Sequence, residues 1–357
     1  MPVQSARQVF VLGAGFTRAF YAGAPLVQDS FDVAEIRERI RGLPLANMIL
    51  EAELAMFQDG NTINIERLLT RVHAPLPYDD RTEAPHEMGI LRNAVIGAFR
   101  SKLDKSKGKF EPATAMHGIA GHCLRNGVNC ITFNYDDLLD EALYEVSAAD
   151  KKEQFPWAPN VGYGFPCPHA VWQRTFHVPP DGQTACTLLK LHGSINWRVE
   201  RGTSRPYRIS DFVDDSDWFP EIRSLSDTQR DSLEVRTENE PVIVPPILAK
   251  ADLLDEPLLR LLWGRAHKCL CKAERVVFIG YAMSETDVAA KFLFSEAMQA
   301  AQDCEVVVVN SVGLKAKTEQ ERKYEQGKFR VQYGRVFGET RQCQWEFRDT
   351  KEWCDAL

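Results

Sequence analysis

Five short apolar runs set the strongest limit on how this chain can fold. They are Gln8-Val9-Phe10-Val11-Leu12, Val128 to Phe133, Thr187 to Leu191, Val276 to Ile279 and Glu305 to Val309. Each is only four to six residues long and mostly apolar, and all but Thr187 to Leu191 are rich in β-branched or aromatic side chains, as expected of strands buried on both faces. Helical patterns separate them, at Leu138 to Val146, Pro257 to Lys272 and Glu285 to Ala301. Alternating buried strands and helices imply an α/β fold with a Rossmann-like, doubly wound parallel sheet.

The boundaries follow from where that alternation stops. A Rossmann core is expected over about 8–29, 126–197 and 241–310, resuming in its last part with Val242-Ile243-Val244-Pro245-Pro246. Between about 30 and 125 no strand is evident. Apolar residues three and four apart, such as Ile65, Leu68, Leu69 and Val72, predict a helical insertion. Residues 198–240 are polar, with the acidic stretch Asp211 to Asp217, and read as a second, irregular insertion. Residues 311–357 are left as a C-terminal extension. The whole is read as one domain.

Composition excludes several function classes. The 357 residues are 44% hydrophobic and 26% charged, with a formal net charge of -7, so no direct nucleic-acid binding through a basic surface is expected. The basic run Lys102 to Lys109 reads as a solvated loop after a helix. No stretch approaches the roughly 20 apolar residues of a membrane helix, and Met1 to Arg7 does not resemble a secretory signal. Nine cysteines lack paired CxxC spacing, so neither a zinc site nor any other metal is expected, and reduced thiols point to the cytoplasm. Trp197 and Trp263 read as core residues, His117 and His122 as core or surface residues, and Cys167-Pro168-His169 as no nucleophile pair.

Chemistry in such a sheet sits at the carboxyl ends of the strands. There the sequence places Gly13-Ala14-Gly15, Asn134 and Asp136, His192 and Gly193, Gly280-Tyr281 with Ser284, and Asn310. Five polar clusters at successive strand ends suggest one cleft. Gly13 and Gly15 permit a tight turn and close approach of a phosphate to the following helix, with Ala14, Phe16 and Thr17 beside it. The third glycine of the dehydrogenase fingerprint is absent, since Arg18 stands there. No second strand with an acidic tip follows either, which argues against hydride transfer. Taken alone, Asn134 could merely cap the helix that begins near Leu138, and a His before Gly could be only a turn residue.

In order along the chain, VFVLGAGFT, ITFNYDDLL, LKLHGS, VIVPP, VVFIGYAMSETD and VVVVN resemble the sirtuin-like family over roughly residues 8–310. The style is similar to the bacterial sirtuin-like NADase branch found in antiphage defence. That resemblance implies NAD⁺ as substrate, with Asn134 and His192 as the residues needed for its cleavage. It also implies Asp136 as a contact to the nicotinamide amide. It further implies a gated effector that depletes NAD⁺. The gate would be self-assembly into a homo-oligomer or a separate partner such as a HerA-like ATPase or a short Argonaute. The four-cysteine zinc module of most deacylases is missing, and so is an Ile-Pro-Asp-Phe-Arg-like loop, which puts peptide deacylation in doubt. A non-catalytic NAD or ADP-ribose sensor and a zinc-free deacylase stand as the alternatives.

Overall fold

The computed structural model describes residues 7–22, 24, 33–56, 63–64, 67–68, 71–72, 85–107, 112–150, 156–165, 184–200, 207–209, 239–243, 257–284, 287–338 and 341–357. The chain divides into two compact units. The first comprises Met1–Tyr21, Glu111–Ser194 and Leu248–Leu357; the second comprises Ala22–Phe110 and Ile195–Ile247.

Six parallel strands form the first unit's sheet: β1 (Gln8–Leu12), β2 (Asn129–Thr132), β3 (Leu188–Lys190), β7 (Arg275–Ile279), β8 (Glu305–Val309) and β9 (Cys343–Glu346). Their spatial order is β3-β2-β1-β7-β8-β9, the 3-2-1-4-5-6 order of a Rossmann-like sheet, with its switch point between β1 and β7. The expected fold class holds. Register levels the strand ends, because Leu12 pairs with both Thr132 and Ile279, and Ile279 pairs with Val309. The ladder runs one residue further into the loops. Gly13 N–H donates to Ile279 O (3.1 Å), Leu191 N–H to Thr132 O (2.9 Å) and Gly280 N–H to Val309 O (3.0 Å). The residues that follow the strands are thereby set side by side.

Helices of this unit are α1 (Ala14–Phe20), α5 (Pro112–Asn126), α6 (Leu138–Ala149), the single turn α7 (Pro159–Gly162), α8 (Pro257–Cys271), α9 (Val288–Ala300), α10 (Glu319–Phe337) and α11 (Thr350–Asp355). Proline opens α5, α7 and α8, where its missing N–H removes no helix bond. Asp287, Thr318 and Asp349 cap α9, α10 and α11 by accepting backbone N–H bonds. Helix α5 packs against α6, α8 against α9, and α9 against α10.

The second unit holds α2 (Val33–Arg39), α3 (Pro44–Leu54) and α4 (Pro85–Lys107). It also holds strand β4 (Gly193–Glu200) from Ile195 onward, with β5 (Tyr207–Ile209) and β6 (Asn239–Ile243) in the order β5-β4-β6. Ile36, Leu91 and Val95 are fully buried where α2 meets α4. A bidentate pair joins Arg67 to the buried Glu53 at 2.7 Å for both bonds. Among the described residues from 33 to 125 there is no strand, in keeping with the helical expectation.

Five readings of the sequence are corrected. Residues 311–357 are not an appendage: β9 pairs with β8 from Val306↔Cys343 to Val309↔Glu346, and Tyr333 donates to Tyr281 O at 2.7 Å. Strand β9 reads Cys-Gln-Trp-Glu, and only half-buried or exposed edge positions tolerate so polar a strand. Residues 241–243, assigned to the core, lie in β6 and pair in the small sheet instead. The supposed irregular insertion supplies β5, the end of β4 and the start of β6, with Arg198 opposite Arg208. Helix α5, assigned to the insertion, packs in the first unit through a face that includes Met116, Ile119, Ala120 and Cys123. Lys102 to Lys107 continue helix α4 rather than forming a loop. No described helix is long and apolar enough to cross a membrane. Cys167-Pro168-His169, the stretch Asp211 to Asp217, and Val244 to Pro246 lie outside the described residues.

Candidate functional site

The site gathers at the level strand ends beside the switch point, and every residue of it discussed below belongs to the first unit. The glycine turn comes first. An added Cβ on Gly13 would lie 2.5 Å from Tyr281 Cα, and one on Gly15 would lie 2.8 Å from Gly280 O. Gly280 itself has φ +59, and its Cβ would stand 2.2 Å from Phe16 N. Gly15 N–H donates to Gly280 O at 3.0 Å, and Phe16 N–H to Gly13 O at 2.9 Å. These glycines are therefore required for two backbones, the turns after β1 and β7, to touch. Two of the amides that a phosphate would need are already bonded within the protein. Phe16 points into the core against Phe20, their centroids 5.2 Å apart.

Asn134 does not cap α6. Its side-chain NH₂ donates to Gly13 O and to Thr17 Oγ1, both at 2.9 Å. A carbonyl can only accept, so the contact with Gly13 fixes which way the amide points. With both N–H groups spent, a further partner can be engaged only through Oδ1 accepting. Thr17 in turn donates to Asp136 Oδ2 at 2.9 Å. Asn134, Thr17 and Asp136 thus form one chain of hydrogen bonds across the ends of β1 and β2. The N-cap position is taken by Asp137, while Asp136 Oδ1 accepts the Leu138 N–H at 3.4 Å.

Beneath this chain lies a group that the sequence reading missed. Lys190, fully buried at the end of β3, lies 3.2 Å from Asp140 Oδ2 and also donates to the backbone carbonyl of Asp136. Tyr163 donates to Asp140 Oδ1 from the other side. Three buried acids, Asp136, Asp137 and Asp140, thus share this lysine's surroundings. Burial raises the Asp136 carboxyl above its ordinary value, against the opposing influence of Lys190 and Thr17. Burial likewise pushes Asp140 up to about 6, again opposed by Lys190. A lysine inside an otherwise apolar strand was the signal, because a buried lysine requires a partner.

His192 forms the other side. Its imidazole is only 3% exposed, with ring centroids 5.0 Å from Phe133, 6.1 Å from Tyr135 and 6.5 Å from Trp263. Nε2 lies 3.7 Å from Asp287 Oδ2, and Tyr281 OH donates to the same oxygen at 3.3 Å. Asp287 was not singled out from sequence; an acid closing SETD ahead of a helix reads only as a cap. Trp263, read as core, is half-buried and flanks His192, donating to Leu191 O at 2.9 Å.

The remaining candidates divide. Gly193 has φ +78 and makes the turn from His192 into β4. Ser284 is exposed, and its carbonyl accepts the Asp287 N–H at 3.3 Å. Asn310 closes its own turn, Oδ1 accepting the Val312 N–H at 3.0 Å, while its N–H donates to Glu346 O. No hydrogen bond among the described residues joins Asn310 to the glycine turn. His117 pairs with Glu145 at 2.6 Å, and His122 stacks on Phe10, so both serve packing.

No family model matches the chain, and no curated protein matches it. Solved structures do. A Sir2 homologue in complex with NAD is 12% identical at a TM-score of 0.41, over 98% of this chain and 86% of that one. A structure from work on the mechanism and regulation of Sir2 enzymes is 14% identical at 0.42, over 98% and 90%. Sir2Tm bound to a propionylated peptide is 11% identical at 0.38, over 98% and 90%. Strand order and register carry the Rossmann-like assignment by themselves.

Proposed function

We propose that this chain is an NAD⁺ glycohydrolase, releasing nicotinamide and ADP-ribose. One observation carries the reading. Asn134, in a motif that resembles those of sirtuin-like NADases, is locked by Gly13 and Thr17 so that its amide can only accept from a further group. An accepting Oδ1 suits a water or a ribose hydroxyl, which must be oriented for attack at the anomeric carbon. The buried acids around Asp136 favour the cationic nicotinamide ring and the oxocarbenium-like ribose that forms as it leaves. Water adds to that carbon, the C–N electron pair departs with neutral nicotinamide, and the water proton passes to His192. Nothing in these steps calls for a metal.

Burial of His192 bears on regulation. An imidazole 3% exposed reaches a substrate only after its surroundings move. That fits an effector held inactive until assembly or a partner releases it, and a HerA-like ATPase or a short Argonaute is proposed as that partner, with depletion of NAD⁺ in antiphage defence as the outcome. The same burial favours a second reading, a sensor that binds NAD or ADP-ribose without cleaving it.

The test incubates the purified chain with NAD⁺, with and without the product of its neighbouring gene, and separates the products by chromatography. Nicotinamide and ADP-ribose should appear in equal amounts. Asn134→Ala and His192→Ala should each cut release by about 10²–10⁴-fold while NAD⁺ affinity is kept. Consumption only in step with an acylated peptide would assign a deacylase instead. Binding without product would assign the sensor.

A further inference from the structure

The hydrolytic reading leaves open which nitrogen of His192 accepts the proton, and the structure answers through a residue to which the sequence reading gave no role in the site. Asp287 is 3% exposed and opens α9, accepting the Ala290 N–H at 3.4 Å through Oδ1. Its other oxygen receives the Tyr281 hydroxyl and lies 3.7 Å from His192 Nε2. The segment between β7 and Asp287 holds left-handed backbone at Gly280 (φ +59) and, unusually for a side-chain-bearing residue, at the fully buried Met283 (φ +51). Such conformations persist where surrounding structure enforces them, and they concentrate at functional sites.

We infer that Asp287 is a positioning residue that keeps the neutral imidazole of His192 protonated on Nε2, so that Nδ1 is the proton acceptor. The inference rests on His192 serving as the base. At 3.7 Å the contact is too long for a hydrogen bond and acts as a field. A neutral imidazole carries one proton, and a buried carboxylate beside Nε2 favours that proton there. When Nδ1 takes the proton of the attacking water, the imidazolium formed faces a fixed negative charge. Phe133, Tyr135 and Trp263 pack around the same ring, which restricts its rotation.

Asp287→Asn separates this role from support of the helix. Asparagine caps helices as well as aspartate, and its amide oxygen can still accept from Tyr281 or Ala290. The charge is lost, together with one of the two accepting oxygens. The whole chain is labelled with ¹⁵N-histidine, and the His192 signals are assigned by their loss in His192→Gln. At pH 8 without substrate, wild-type His192 should show a protonated Nε2 and a bare Nδ1. Asp287→Asn should move it toward the Nδ1–H form, whereas Tyr281→Phe, which keeps the charge, should not. Kinetically, Asp287→Asn should lower kcat for nicotinamide release by about 10²-fold or more with KM unchanged. Should Asp287→Asn not fold, Asp287→Ser keeps a capping oxygen and removes the same charge. An Nδ1–H tautomer in the wild type, or an unaltered tautomer in the charge-free variant, overturns the inference. The tautomer is read without substrate, so the two failures are distinguishable. A chain that shows Nε2–H but releases no nicotinamide loses the proposed function alone, and one that hydrolyses NAD⁺ with its tautomer indifferent to Asp287 loses this inference alone.

Discussion

Replacing Lys190 by methionine should damage the first unit in a way that depends on pH. Lys190 is fully buried, bonded to Asp140 at 3.2 and 3.3 Å and to the Asp136 carbonyl. Methionine fills similar space but leaves that carbonyl without its donor, which costs about 1–3 kcal/mol. It also leaves the Asp140 carboxylate buried beside Tyr163 with no cation, and breaking a buried pair from one side costs about 3–5 kcal/mol in total. Asp140 can escape by taking a proton. Its folded pKa is already raised to about 6 by burial, against an unfolded value of about 4. A carboxyl raised in the folded state contributes stability that is fully present below the unfolded value and lost as pH climbs through the folded one. In the wild type that loss is therefore complete by about pH 7. Removing the lysine pushes the folded value higher, so the loss continues at up to roughly 1.4 kcal/mol per pH unit. The gap between variant and wild type should thus be small at pH 5, near the carbonyl contribution alone, and widen toward about 3–5 kcal/mol at pH 8. Urea unfolding followed by tryptophan fluorescence at both pH values measures it. Lys190→Met/Asp140→Asn, which removes the charge on both sides, should recover part of the loss and abolish its pH dependence. An equal gap at pH 5 and 8, or a double variant no more stable than the single one, would refute the reasoning.

Three further outcomes are expected. Gly13→Ala should yield little folded protein, because its Cβ would sit 2.5 Å from the Tyr281 backbone; soluble expression with a wild-type melting temperature would contradict the close approach. Thr17→Val removes the hydroxyl that links Asn134 to Asp136. It should lower stability by about 1–3 kcal/mol and nicotinamide release by more than that loss explains, measured on protein verified as folded. Elemental analysis should find no zinc retained after mild chelation, since nine cysteines without paired CxxC spacing offer no closed four-ligand site; one zinc per chain would overturn this.

Local chemistry made much of the fold legible. Val9 to Leu12, Val276 to Ile279 and Val306 to Val309 are continuous β-branched or aromatic runs, and only strands covered on both faces reward such sequences. Gly13, Asn134 and His192 were visible because each follows such a run directly. Their strand-end position depends on nothing distant. The roles of these residues were less legible. Gly13 and Gly15 looked like a phosphate turn, yet their missing side chains make room for Gly280 and Tyr281, some 265 positions away. Asn134 looked like a possible cap, and only the docking of β1 beside β2 turns its amide onto Gly13 and Thr17.

Tertiary structure alone decided the rest. Lys190 with Asp140, and His192 with Asp287, are pairs 50 and 95 residues apart in sequence, and no periodicity or spacing rule connects such positions. Strand β9 is a four-residue segment with no apolar run, Cys-Gln-Trp-Glu, that becomes a strand because β8 offers it a ladder. The two insertions, each read separately, fall into one compact unit. The sequence on its own determined where strands and turns form, because side-chain alternation and backbone freedom act over a few residues. It could not determine which ends meet. That choice belongs to the packing of the sheet, where a buried charge or an unfilled space acquires its partner only after distant segments have docked.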